Sequence, residues 1–156
     1  MTPEETAHRF YRAFQSHDHA TMRASYAKTA KFSDPAFPDL RGDAIGDMWE
    51  MLVSRAKELT LSYEVLSAKG ERVVVAWEAR YPFSKTGRWV TNKIRSEMVI
   101  VDGLIQDQND SFNFHKWARQ ALGVPGLLLG WTGFLQRKVQ ATAADQLAKF
   151  QSKKGS

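Results

Sequence analysis

Two aspartates stand in aromatic surroundings far apart in the chain. Asp34 lies in Phe32-Ser33-Asp34-Pro35-Ala36-Phe37, and Asp110 in Gln108-Asn109-Asp110-Ser111-Phe112-Asn113-Phe114. A carboxylate among aromatic rings is costly to keep charged, so its pKa rises toward neutrality. Such a group can give or take a proton near pH 7. If both face one interior, each raises the pKa of the other, and one can serve as acid while the other serves as base. Two blander readings stand beside this one. Asp34 precedes Pro35 and can open a turn, and Asp110 or Ser111 can cap a helix near Phe114.

The other chemistry-bearing residues offer less. His17 and His19 flank Asp18 in a turn between helices, with no third ligand close in sequence, so no metal site is expected. His8 falls on the exposed side of a first helix, and His115 follows Asp110 at a helix start. There is no cysteine, which excludes disulfides and thiolate zinc sites. No glycine-rich phosphate loop occurs, so no nucleotide cofactor is expected, nor any other.

The elements that must position the two aspartates are legible from periodicity. Thr2-Pro3-Glu4-Glu5 starts a helix: Thr2 caps, Pro3 suits the first position, and Glu5 completes a capping box. Ala7, Phe10, Tyr11 and Phe14 then recur at helical spacing. Asp18 is placed to cap a second helix running through Met22 to Tyr26, and residues 30–34 read as a short strand ending at Asp34. Pro35 to Gly42 reads as loop, and Ile45, Met48, Trp49, Leu52 and Val53 mark a third helix. An unbroken block of strands follows. Leu59 to Val65 alternate, as do Val73, Val75, Trp77, Ala79, Tyr81 and Phe83. Val90, Asn92, Ile94, Ser96, Met98 and Ile100 form one face of the next strand, with Thr91, Lys93, Arg95 and Glu97 on the other. Asp102-Gly103 is a hairpin signal leading to a last strand over Leu104–Phe112. Helices followed by an antiparallel meander define an α+β fold. Trp117, Ala121 and Leu122 begin a helical end region, and Leu127 to Phe150 read as one further helix.

Composition agrees with one folded domain. The chain has 156 residues, 43% apolar and 12% aromatic, enough for a single core. Most of the net charge of +5 falls between Arg137 and Ser156. A basic last helix complements its own dipole, so neither nucleic acid nor membrane is expected as a partner. The first residues lack a basic stretch followed by an apolar run, and no eighteen-residue apolar segment occurs, which together suggest a cytoplasmic protein.

This order of elements resembles the nuclear transport factor 2-like superfamily. It includes ketosteroid isomerases, limonene epoxide hydrolases and SnoaL-like polyketide cyclases. Two segments carry the likeness. Tyr26 followed by Phe32-Ser33-Asp34-Pro35 resembles the isomerase segment that ends in the catalytic base. Asp102-Gly103-Leu104-Ile105 leading to Asp110-Ser111-Phe112-Asn113-Phe114 resembles the end of the epoxide hydrolase and SnoaL-like domains. The resemblance implies a cone-shaped curved antiparallel sheet packed by N-terminal helices over residues 3–122. An added helix follows at 127–150, within one domain over 1–150 and a disordered tail at 151–156.

The resemblance also sets residue roles. Asp34 matches the isomerase base, which in that enzyme works with an oxyanion hole of a tyrosine and a protonated aspartate. The tyrosine position falls on Phe10. The partner acid is absent, because Ser96 rather than Glu97 lies on the inner face of its strand. Asp110 matches an aspartate of the epoxide hydrolase, whose Arg-x-Asp pair is replaced by Trp77 and Ala79. The chain thus keeps one acid from each scheme. Asp34 and Asp110 are the expected catalytic pair. Phe10, Phe14, Tyr26, Trp49, Trp77, Asn92, Ser96, Gln108 and Phe112 are expected to bind substrate. The expected activity is a cofactor-independent isomerase, cyclase, lyase or hydrolase of a small hydrophobic molecule, in a homodimer. The alternative is a non-catalytic ligand-binding or dimerisation module of the same fold. For the terminal apolar helix, cover of the cone mouth, a dimer interface and ordinary packing on its own sheet all stand.

Overall fold

The computed structural model describes residues 1–130 and 132–155. Helix α1 (Pro3–Gln15) starts as its sequence dictates: the Thr2 hydroxyl accepts the Glu5 N–H at 3.1 Å, and Pro3 opens the first turn. Helix α2 spans only His19–Ala24, capped by Asp18 on the Thr21 N–H. The expected run of this helix to Tyr26 is corrected, because Tyr26 pairs with Ile105 and opens strand β1 (Tyr26–Ser33). Strand β1 is therefore longer than the expected 30–34. Within the stretch read as loop, β2 (Leu40–Arg41) pairs with β1, and α3 (Asp43–Arg55) follows.

Strands β3 (Thr60–Lys69), β4 (Arg72–Pro82), β5 (Trp89–Val101) and β6 (Leu104–Ser111) form the expected antiparallel meander. The six strands make one open sheet in the order β2-β1-β6-β5-β4-β3. The pairing of β1 with β6 is parallel, so the sheet is mixed rather than wholly antiparallel. Register shifts break the β1–β6, β3–β4 and β5–β6 ladders, and such bulges bend strands and increase their twist. Asp102 and Gly103 both take positive φ, 52° and 75°, the geometry that closes a two-residue hairpin between right-twisted strands.

One face of the sheet is buried and the other is charged. On β5, Val90, Asn92, Ile94, Ser96, Met98 and Ile100 are buried, whereas Thr91, Lys93, Arg95 and Glu97 are exposed. Glu97 spends its charge on exposed Arg95 at 3.6 Å, so Ser96 holds the inner position. Helices α1 and α3 pack on the inner face. Their aromatic rings, Phe10, Phe14 and Trp49, meet edge-on or tilted at centroid distances of 5.0 to 6.4 Å.

After the sheet come α4 (Phe114–Leu122), α5 (Val124–Leu129) and α6 (Gly133–Lys154). The single helix expected over 127–150 is two, divided around Gly130 and restarted by Thr132, whose hydroxyl caps the Leu135 N–H. Trp131 lies outside the described residues. Residues 151–154 are helical rather than a tail, because they are tied to α3. Gln151 donates to Asp47 at 3.0 Å, and Lys154 reaches Glu50 at 2.8 Å and Asp47 at 3.3 Å. Arg23 joins the same two carboxylates from α2. Leu147 is buried in the main core, while Leu135 joins a second cluster with Val90, Trp117, Ala118 and Ala121. No described helix is long and apolar enough to cross a membrane.

Candidate active site: two carboxylates on one cavity

A cavity of about 440 Å³ opens where the two apolar clusters meet. That is within the range of about 300–1,000 Å³ usual for small-molecule sites. Phe14, Trp49, Trp77, Ile94, Phe112 and Trp117 supply apolar wall, and α6 closes one side with Leu135, Val139 and Ala143. Both Asp34 and Asp110 line it. Strand ends place them: β1 delivers Asp34 one residue past its last paired position, and β6 delivers Asp110 opposite Ser96 of β5.

Asp110 is 3% exposed and sits at the end of two converging hydrogen-bond chains. In one chain, the Tyr11 hydroxyl donates to Ser96 Oγ at 2.6 Å and the Trp77 indole donates to it at 2.8 Å. Ser96 in turn donates to Asp110 Oδ1 at 2.5 Å. In the other, Trp49 donates to the Tyr26 hydroxyl at 2.9 Å, Tyr26 donates to Gln108 Oε1 at 2.5 Å, and Gln108 Nε2 donates to Asp110 Oδ1 at 3.0 Å. Every donor points toward one oxygen. Oδ2 has no partner among the described residues, and no polar side-chain atom among them that is sealed from solvent is left unpaired, so Oδ2 meets the cavity. Burial pushes the carboxyl up to about 7, against the opposing pull of the Ser96 and Gln108 hydrogen bonds, and the nearby charge of Asp34 adds to the rise. Burial likewise drives the Tyr11 and Tyr26 phenols well above their ordinary range.

Asp34 does double service. Its Oδ1 accepts the Ala36 N–H at 2.8 Å and the Phe37 N–H at 2.6 Å, the turn expected before Pro35. It also faces the cavity, where burial lifts its pKa to about 6 against those two amide bonds. Asp110 caps no helix: Asn113 caps α4 through the Lys116 N–H at 3.0 Å.

The remaining expected site residues divide into two shells. Phe14, Trp49, Trp77, Asn92 and Phe112 line the cavity. Tyr26, Ser96 and Gln108 stand behind it and reach it only through Asp110. Phe10 is fully buried and packs on Tyr11, Tyr26 and Trp49, which corrects its expected place in the wall. Asn92 is 8% exposed, and its amide has no hydrogen-bond partner among the described residues. It is free to meet a ligand.

One functional candidate escaped the sequence reading, and a second, Tyr81, was legible there only as one of the aromatic residues of core and pocket wall. Tyr11, one residue past Phe10, is the helix tyrosine that reaches the inner face of β5. Its place in the helical stripe was legible, but its hydrogen-bond partner was not. Tyr81 lines the cavity, and its oxygen accepts the Trp117 indole at 2.8 Å while its own hydrogen goes to no described group. Burial raises the Tyr81 pKa against the Trp117 hydrogen bond, and the charge of Asp34, which lines the same cavity, adds to the rise. Its inward alternation with Trp77 and Ala79 was the available signal. His8 contacts the Tyr63 hydroxyl at 2.8 Å, and His17 the Leu59 carbonyl at 2.7 Å. Among the described residues no group of three or more His, Cys, Asp or Glu could hold a metal.

A curved open sheet, a helical inner layer and an acid-lined apolar cavity define a class that comparison makes explicit. Residues 7–108 match the sequence model of the SnoaL-like domain, and the protein belongs to that family. Solved structures share the fold. An NTF2-like protein of unknown function from Burkholderia pseudomallei superposes with a TM-score of 0.68 at 21% identity, over 78% of this chain and 99% of that one. IdmH from Streptomyces antibioticus, a proposed polyketide cyclase, gives 0.66 at 21% identity over 80% and 100%. A limonene-epoxide-hydrolase-like (LEH-like) epoxide hydrolase from M. tuberculosis gives 0.59 at 18% identity over 84% and 92%. Identities this low carry the fold and not the activity. No curated protein matches the sequence.

Proposed function

We propose that this protein is a cofactor-independent acid–base catalyst acting on a small hydrophobic carbonyl compound, of the kind an isomerase or cyclase would process. The observation that carries this reading is the shared cavity. Two aspartates line one apolar chamber, each with one oxygen tied by two donors and the other left over. Their pKa values of about 6 and about 7 set the roles. Between those values Asp34 is mostly ionised and acts as base, while Asp110 is mostly protonated. Because Oδ1 of Asp110 is occupied by two donors, its proton sits on Oδ2 and is offered to the cavity. Asp34 removes a proton next to the carbonyl. Asp110, with the Tyr81 hydroxyl, donates to the oxygen that gains charge. IdmH and the LEH-like epoxide hydrolase share the fold, which accommodates this reading, while the support for the chemistry comes from the two aspartates.

A direct test follows deuterium uptake from D₂O into 2-tetralone, a small apolar ketone, by NMR. The native protein should accelerate uptake, and Asp34→Asn and Asp110→Asn should each slow it at least a hundredfold, the usual scale for a lost acid or base. Rates unchanged by both substitutions would sink the assignment. Binding of 2-tetralone without any exchange would instead favour the non-catalytic binding module.

A further inference from the structure

The cavity is polarised along its length. Asp110 is a buried part of the lining, with Ser96 of β5 behind it. Asn92 lies four residues away on the same face of β5, roughly 13 Å toward the start of the strand. Beyond it, in the β4–β5 turn, Lys85 lines the cavity and is exposed. Two more exposed cations reach the lining from separate elements, Lys138 of α6 and Arg55 at the end of α3. None of the three has a carboxylate partner among the described residues, whose ion pairs all lie elsewhere. Arg55 rests only on the Phe150 ring, at 5.9 Å.

The lining contains no acid other than Asp34 and Asp110. The aspartates are buried parts of the lining, whereas Lys85, Lys138 and Arg55 are its exposed parts. Lys85 and Lys138, exposed and unpaired in the lining of an apolar cavity, offer a place for an anion to sit while its carbon skeleton lies inside.

We infer that the ligand of this site is amphipathic, an apolar carbonyl skeleton ending in a carboxylate that Lys85 and Lys138 hold at the exposed edge of the lining. The inference rests on the functional reading of the cavity and narrows its substrate class. An anion fixed at the rim would orient the skeleton so that the carbonyl end, and not the charged end, meets Asp34 and Asp110. A carboxylate would also be excluded from the floor, where an ionised Asp34 repels it.

The test uses a pair of ligands differing in charge alone, 4-(2-naphthyl)butanoate and 4-(2-naphthyl)butanamide, titrated by calorimetry into the full-length protein. The acid should bind about tenfold more tightly than the amide at 50 mM NaCl, an advantage that shrinks at 500 mM. Lys85→Gln with Lys138→Gln should bring the two affinities within about twofold, with Tm unchanged because both side chains are exposed. In Asp34→Asn with Asp110→Asn the preference for the acid should persist, even where 2-tetralone exchange is lost. Loss of exchange alone therefore bears on the acid–base reading, and loss of the charge preference on this one. Equal affinity for acid and amide, a preference that survives the lysine substitutions, or no binding of either ligand at millimolar concentration would overturn the inference.

Discussion

Asp34 and Asp110 are tethered in the same manner by unrelated means. Each commits Oδ1 to two donors: two backbone amides of a turn for Asp34, and two side chains of a buried chain for Asp110. The consequence is rotational. With one oxygen fixed, the carboxyl plane is held and the second oxygen keeps its direction, as a catalytic acid or base requires. The difference is in strength of support. The amides of Asp34 belong to a tight loop, whereas the donors of Asp110 are themselves held by Tyr11, Trp77, Tyr26 and Trp49.

Activity should follow a narrow bell in pH. Exchange needs Asp34 ionised, so it falls as pH drops below about 6. It needs Asp110 protonated, so it falls as pH rises above about 7. Because the two groups interact, the observed limbs belong to the pair. Rates of 2-tetralone exchange measured from pH 4 to 9 should peak between the two limbs. In Asp110→Asn, whose amide cannot lose a proton in this range, the alkaline limb should disappear while the acid limb remains. An alkaline limb that persists in that variant contradicts the role given to Asp110.

Stability should run in the opposite sense to that of most proteins with paired acids. Both carboxyls have folded pKa values above their ordinary value of 3.8. The native state therefore holds more protons than the unfolded chain between about pH 4 and 7, and its stability declines as pH rises through that window. Full ionisation of Asp110 costs a few kcal/mol on this basis. Thermal melts should show Asp110→Asn nearly matching the native protein at pH 4 and exceeding it at pH 8, where it carries no buried charge. A Tm gap that stays constant from pH 4 to 8 would contradict the raised pKa.

Much of this architecture is legible in the sequence, for reasons that can be named. Strand β5 alternates so regularly that Ser96 and Glu97 could be assigned to opposite faces, and the burial pattern agrees. Caps at Thr2 and Asp18, and the hairpin at Asp102-Gly103, rest on local chemistry and form where that chemistry places them. Long-range pairing was not legible. Nothing local shows that Tyr26 leaves its helix to pair with Ile105, or that Leu40–Arg41 finds an edge of β1. Likewise Tyr11 and Phe10 both satisfy a buried helical stripe, and only the approach of α1 to β5 decides which reaches Ser96. The hydrogen bond and ion pair that keep 151–154 helical join residues about a hundred positions apart.

Ser96 and Tyr81 should separate under mutation. Ser96→Ala strips Asp110 of one donor and leaves the Tyr11 hydroxyl and the Trp77 indole without their acceptor. Each orphaned buried group costs about 1–3 kcal/mol, so Tm should drop sharply. With a stabilising hydrogen bond gone, the Asp110 carboxyl should titrate above about 7 in ¹³C NMR. Tyr81→Phe removes only the acceptor of Trp117 and a donor facing the cavity. It should reduce exchange tenfold or more while costing about 1–3 kcal/mol. Retention of full exchange in Tyr81→Phe would remove that hydroxyl from the scheme.

The homodimer expected from the sequence has a candidate surface in α5 and the start of α6. Leu128 is 65% exposed and Phe134 63% exposed, with Val124, Leu127 and Leu129 also open to solvent. Contiguous exposed apolar groups of this kind mark association surfaces. Sedimentation at 100 µM should give a dimer, and Leu128→Glu with Phe134→Glu should give a folded monomer. A native protein that sediments as a monomer ends this reading.

Gly126 should prove irreplaceable for the cover of the cavity. A Cβ built at this position would lie 1.9 Å from the Ala118 carbonyl oxygen and 2.3 Å from its carbon. Both are backbone atoms of α4, which is fixed by the burial of Ala118 and Trp117 in the second cluster. Helix α5 therefore rests on α4 only because residue 126 has no side chain. Gly126→Ala must push the helices apart, at a cost of about 1–3 kcal/mol for overpacking. The displacement reaches the start of α6, where Leu135 and Val139 close one side of the cavity. Hydrogen exchange should accelerate across residues 124–139 in this variant and stay unchanged in β4 and β5. Affinity for 2-tetralone should fall even though both aspartates are intact. Exchange accelerated throughout the chain would instead mean that α5 is part of the global fold and not a separable cover.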